Sequence, residues 1–184
     1  NDFKLEILDV LYEHLVFVER YLEISDVNGN HLIADAASLV VGGAFFEGIG
    51  SGSKWRLTGW KILEYELGKQ VLDDGVNFEG SLSYHRFVTE LLFLAVQYQE
   101  SITGQNTERF RLYLLRMALY IDAYTKPDST APWIGDSDNG RALDFGSDIN
   151  DHRYLVHVIF QEYGNHKYIA KSILTPETLW WLGY

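Results

Sequence analysis

The stretch from Asn30 to Gly48, NHLIADAASLVVGGAFFEG, limits the fold more than any other part of the sequence. It reads as a helix that is apolar nearly all round, with small residues Ala34, Ala37, Gly42 and Ala44 admitting close neighbours. A helix without a polar face is stable only when other elements cover it. This one is interrupted by Asp35 and is too short to span a membrane, so its cover must be protein. The rest of the chain offers helices for that purpose. Apolar residues at 3, 7, 10, 11, 15, 18, 21 and 22 trace one face of a helix from Phe3 to Ile24. After a hinge-like GSGS at 50–53, KWRLTGWKILEYELGKQVL predicts a third helix. Further helices are predicted from about Leu82 to Ile102, from about Thr107 to Tyr124, and over about 152–163 and 166–173. Pro176 suits the first turn of a last one. No strand alternation is found. Helices joined two by two predict an all-α array of antiparallel hairpins, stacked or closed toward a toroid.

Charge narrows the function classes. The formal net charge is −11, from 26 acids against 15 Lys and Arg, and nucleic-acid binding normally needs a basic patch. We therefore expect no nucleic-acid partner, and no membrane partner because no apolar run is long enough. A local cluster of Arg and His is still compatible with an anionic sugar. The absence of cysteine excludes disulfides and thiolate metal sites. Aromatic residues are abundant, with 12 Tyr, 10 Phe and 5 Trp, which suits a Tyr-rich core or platforms in a sugar cleft.

Four places carry polar groups beyond structural need. Asn30 and His31 stand at the mouth of the apolar helix. Asn30 taken alone reads as an N-cap, and His31 is able to donate to an anion or to sit satisfied in the core. Tyr84 and His85 stand side by side in the first turn of a helix that Ser81 or Ser83 already caps. Tyrosine acts as a base only if positive charge lowers its pKa from near 10, and His85 and Arg86 are the local candidates. A packed tyrosine beside a surface histidine is the plain alternative. The long segment 126–151 has no periodicity, as functional loops often do not. Within it Asp136, Asp138 and Asn139 resemble a calcium loop loosely. The glycine falls one place early and no glutamate closes the loop. A turn whose acids accept from its own backbone, and hold Arg141, fits better. His152 and His157 are spaced wrongly for a metal pair on one helix face.

Together, NGNHLIADAASLVVGGAFF, VLDDGVNFEGSLSYHRFVTELLFLA, IGDSDNGRAL and TLWWLGY resemble, in order, the helical domain of the heparinase II/III-like polysaccharide lyases. The resemblance covers roughly residues 10 to 184. It implies a partial (α/α) toroid, followed in relatives by an antiparallel β-sandwich that begins where this chain stops. It also implies that N-terminal hairpins are missing, so that the chain is a single helical domain cut from a longer, exported protein, periplasmic or extracellular. The activity implied is β-elimination next to a uronic acid in an acidic polysaccharide, with no metal or organic cofactor required. Asn30, with His31, matches the position that neutralises the uronate, and Tyr84 matches the tyrosine that accepts or donates the proton. Beside these, Glu79 is read as orienting His85 or a backbone amide. Arg141 is read as gripping a second uronate or sulfate, or as holding the long loop. Trp133 is a candidate to stack on a sugar, and His85 to help bind it.

Two other classes compete. One is a carbohydrate-binding or scaffold domain whose chemistry has lapsed, the natural description of an inactive isolated fragment. The other is a glycoside hydrolase on the same kind of toroid, with Glu79 and Asp136 or Asp138 as its carboxylates.

Overall fold

The computed structural model describes residues 2–104, 107–164 and 175–182. Among these the chain forms α1 (Asp2–Arg20), α2 (Asn30–Phe45), α3 (Gly52–Gln70), α4 (Leu82–Thr103), α5 (Glu108–Tyr124), α6 (Arg153–Tyr163) and α7 (Pro176–Leu182). No strand is present among the described residues, only an isolated bridge between Val71 and Asn77. The helix expected over 166–173 lies outside the described residues. None of the described helices is long and apolar enough to cross a membrane.

Two compact units divide the chain: Asn1–Leu67 with Leu94–Asn106, and Gly68–Phe93 with Thr107–Tyr184. In the first, Leu15, Leu39, Phe46 and Trp55 form a core against which Leu8, Tyr12, Val16, Val18 and Leu22 pack. Trp55 lies 4.7 Å from the Tyr12 ring and donates from Nε1 to Glu19 Oε2 at 2.8 Å. The buried Arg56 is paid its hydrogen bonds by Glu47 Oε2 at 2.8 Å and Gln99 Oε1 at 2.9 Å.

The stripe predicted for α1 is split. Leu15, Val18 and Leu22 do pack on the core, but Phe3, Ile7, Val10, Leu11 and Tyr21 are exposed. α1 is apolar over more than one face, and the stripe through 8, 12, 15 and 16 is the one that meets α2. The helix also stops at Arg20 rather than Ile24. Beyond it, Ser25 N–H donates to Asn28 Oδ1 at 2.9 Å and Ser25 Oγ to the Val27 carbonyl at 2.7 Å, local bonds that compete with helix.

Burial of α2 matches its composition: Leu32, Ile33, Ala36, Ala37, Leu39, Val40, Gly43 and Ala44 are all buried. Close approach to α3 is made at two glycines. A Cβ on Gly43 would lie 2.4 Å from the backbone nitrogen of Arg56, and one on Gly59 would lie 2.3 Å from the Ala36 carbonyl oxygen. Both clashes are with backbone, which cannot swing aside. Gly43→Ala is therefore expected to cost about 1–3 kcal/mol. Thermal unfolding followed by circular dichroism checks this, and an unchanged midpoint would mean the two helices separate freely.

The second unit gathers the first half of α4 with α5, α6 and α7. α6 contacts both α5 and α7. Val88, Leu92, Leu114, Met117, Leu155 and Ile159 lie in its interior, and Phe93 packs on Trp181 at 4.7 Å. The segment joining α5 to α6 contains no helix, as its composition predicted, and one stretch of it runs along α4.

Candidate active site

Asn30 and His31 belong to the first unit. Asn30 is not the cap of α2. Gly29 occupies the N-cap without a side-chain hydrogen bond, and Asn30 is the first helical residue, buried at 9% exposure. Asn28 holds the approach, donating from Nδ2 to the buried Glu66 at 3.1 Å. His31 is exposed and pairs through Nδ1 with Glu23 Oε2 at 2.9 Å. The Glu23 amide in turn donates to Asp35 Oδ2 at 2.8 Å, and burial pushes the Asp35 carboxyl up.

Tyr84 belongs to the second unit. Ser81 caps α4: its Oγ accepts the Tyr84 N–H at 3.1 Å and donates to the Asp136 carbonyl at 2.5 Å. The phenol is half-buried. Burial, with Asp138, Asp136 and Glu79 adding their charge, pushes its pKa above the ordinary value of 10. The shift is opposite to the lowering expected from His85 and Arg86: burial and the charges of Asp138, Asp136 and Glu79 oppose ionisation, and His85 is not charged at neutral pH. His85 is 1% exposed. Its Nδ1 accepts from the Asn77 amide at 3.3 Å, so Nε2 carries the hydrogen and donates to the Met117 carbonyl at 3.2 Å. Burial lowers its pKa to about 4. Both ring nitrogens are thus engaged by backbone groups, the Asn77 amide and the Met117 carbonyl.

The stretch 134–142 forms a strap along the start of α4. Leu82 N–H donates to the Ile134 carbonyl at 3.1 Å, and the Ser83 and Ser137 hydroxyls meet at 3.2 Å. Arg86 Nη2 donates to the Gly140 carbonyl at 2.6 Å, and the Ala142 amide to Glu90 Oε2 at 2.7 Å. Gly135 makes the closest pass. Its φ is +74°, and a Cβ there would lie 2.6 Å from the Gly80 carbonyl oxygen. The expected acid-backbone turn is present, with Asp138 Oδ1 accepting from Gly140 N–H at 2.8 Å. Arg141 is not held by that turn. Its guanidinium, 2% exposed, donates to the Asp148 carbonyl at 2.7 Å and the Ser147 carbonyl at 3.3 Å, and pairs with Glu177 at 3.4 Å. Of its two sequence readings, holding the loop is the one that these bonds match. Trp133, at the entry to the strap, is exposed.

Sequence reasoning missed Glu90 as a partner of the strap and weighed Arg86 only as a charge. Their spacing of one helical turn was visible, but the segment they bind was not. His152 is buried at the start of α6. It bonds the Tyr124 hydroxyl at 2.7 Å, and burial lowers its pKa to about 3.

Residues 1–169 match the family described as Heparinase II/III N-terminus. The fold class is all-α, the helical pattern of a partial (α/α) toroid, and it is shared with the crystal structure of heparinase III at a TM-score of 0.63 and 24% identity, over 82% of this chain and 23% of that one. The heparan sulfate lyase HepC from Pedobacter heparinus aligns at a TM-score of 0.55 and 23% identity, over 73% of this chain and 22% of that one. A heparin-sulfate lyase of Bacteroides stercoris is 28% identical over 139 residues, 74% of this chain and 20% of the relative. The chain belongs to the heparinase II/III family, and it spans about one-fifth of the length of the relatives it matches.

Proposed function

We propose that this chain is the helical part of a lyase that cuts a uronic-acid-containing polysaccharide by β-elimination. The family match over residues 1–169 carries the assignment, since it includes both the Asn-His pair and the run around Tyr84. In the reaction a base removes the C5 proton, the electron pair forms the C4–C5 double bond, and the C4–O bond breaks. The leaving oxygen then takes a proton. Tyr84 is assigned as the donor of that proton, because a phenol is protonated at neutral pH and the surroundings of this one raise its pKa instead of lowering it toward a base. Asn30 is assigned to the uronate carboxylate, where its amide stabilises the charge that builds as C5 loses its proton. His31 adds a second donor at the expense of its pair with Glu23. Trp133 offers an exposed ring for a sugar face. Glu79, with Asp136 and Asp138, is assigned to opposing ionisation of Tyr84, and His85 and Arg141 to support of the fold. Turnover is assigned to the protein at its natural length, with the β-sandwich that the resemblance implies.

The test is absorbance of the conjugated double bond, with the natural-length protein and a panel of uronate polysaccharides. Heparan-type chains come first because a relative is named for heparin sulfate. Asn30→Ala is expected to slow product formation about 10²–10³-fold. Reducing ends without absorbance would replace elimination by hydrolysis at the carboxylates near Tyr84. Binding without any product would leave a lapsed enzyme.

A further inference from the structure

The bonds between α4 and the strap include two long side chains that sit one helical turn apart, Arg86 and Glu90. Both are buried, at 0% and 2% exposure, and each holds one backbone group of the strap. We propose that Arg86 and Glu90 are positioning residues that clamp residues 134–142 along α4 and so set how Asp136 and Asp138 lie against Tyr84. The inference rests on the assignment of Tyr84 as proton donor.

Three observations point beyond a merely stabilising role. First, the cluster is poorly satisfied: Arg86 Nε and Nη1, Glu90 Oε1 and Arg141 Nε have no hydrogen-bond partner among the described residues. Buried charged groups left partly unpaired weaken a fold compared with apolar packing, so stability does not explain them. Departures of this kind concentrate at functional sites. Second, the clamp bonds at 86 and 90 continue the series begun at 82 and 83, so the strap is gripped on both sides of Asp136 and Asp138. Third, Arg86 and Glu90 bind backbone groups of the strap, which fixes its path whatever its side chains are.

Glu90 also makes the clamp sensitive to pH. Burial raises its carboxyl to about 7, against the opposing pull of the Ala142 amide and the charges of Arg86 and Arg141. The groups facing it are Arg86 on its own helix, Arg141 and the Ala142 amide from the strap, and Glu177 from α7. His152, facing Arg86 and Arg141, stays neutral through this range because its pKa is about 3. With the strap released, Glu90 is hydrated and returns toward its ordinary value of 4.5. The docked form therefore binds the proton more tightly. Docking is strongest below pH 4.5, weakens as pH rises toward about 7, and changes no further above it.

Nuclear magnetic resonance of the chain tests the clamp without using activity. The Ala142 amide shift is expected to titrate with a midpoint near neutrality and to be flat in Glu90→Gln, which keeps the shape and removes the charge. Exchange of the strap amides, corrected for intrinsic rates, is expected to quicken by up to about tenfold per pH unit across the window in the parent only. Arg86→Lys, which loses the bond to the Gly140 carbonyl, is expected to speed exchange at every pH; if it does not fold, the Glu90→Gln titration decides. An Ala142 shift that titrates alike in parent and Glu90→Gln overturns the clamp. In the natural-length protein Glu90→Gln is expected to flatten the pH profile of kcat with KM unchanged. An Ala142 titration present in the parent and lost in Glu90→Gln, with no lyase activity in any form, would keep the clamp and remove the function proposed for Tyr84; a flat Ala142 shift in the parent overturns the clamp.

Discussion

Tyr84→Phe, made in the protein at its natural length, is expected to lower formation of the unsaturated product about 10²–10⁴-fold, the range for removing a positioned proton donor. The change is clean for three structural reasons. The helix cap uses the Tyr84 amide, accepted by Ser81 Oγ, and leaves the phenol out of it. The ring is half-buried, and phenylalanine keeps its packing. The carboxylates of Asp136, Asp138 and Glu79 stay in place, so the local charge hardly changes. Binding of oligosaccharide should persist, measured by calorimetry alongside the absorbance assay. A variant with full turnover would take the proton-donor role away from Tyr84. A variant that loses binding and turnover together would make the phenol a binding group instead.

The largest effect on stability is expected at Trp55. Its side chain is fully buried, packed between Tyr12 and the core residues Leu15, Leu39 and Phe46. Trp55→Ala removes the largest side chain of that core and leaves a cavity bounded by α1, α2 and α3. A loss of about 3–5 kcal/mol follows, or roughly 6–20 °C in the unfolding midpoint for a chain of this size. The lost bond to Glu19 adds little, because that carboxylate keeps its pair with Lys54 at 2.6 Å. Differential scanning calorimetry of the chain checks the figure. A drop under about 2 °C would mean that the neighbours collapse into the space, and the core around Trp55 would be softer than its packing indicates.

Much of the fold was legible because helices are local. The apolar stretch from Asn30 predicted a buried helix, and α2 is buried. The absence of periodicity in 126–151 predicted an irregular segment, and the segment is irregular. Ser81 was a candidate cap from residue type alone, and it caps α4. The same local logic failed at Asn30, where Gly29 takes the cap and the larger side chain goes inward. It failed also along α1, because period alone cannot choose between two apolar stripes when both exist. The candidate site was less legible still. Its residues were chosen by type and order, but their electrostatics were read from sequence neighbours. His85 and Arg86 adjoin Tyr84 in the chain, yet His85 is neutral and the charges that act on the phenol come mostly from Asp136 and Asp138, more than fifty residues away.

The sequence by itself determined where the helices run, which segment stays irregular, and to which family the motifs point. These depend on spacing along the chain and on side-chain type, both of which act over a few residues. Only the tertiary structure decided which side of α1 is covered, that the surroundings of Tyr84 raise its pKa, that His85 is buried, and that Arg86 and Glu90 bond backbone groups lying 54 and 52 residues further along. Burial and local charge are set by which distant segments meet, and a hydrogen bond reaches only about 3 Å whatever the separation in sequence.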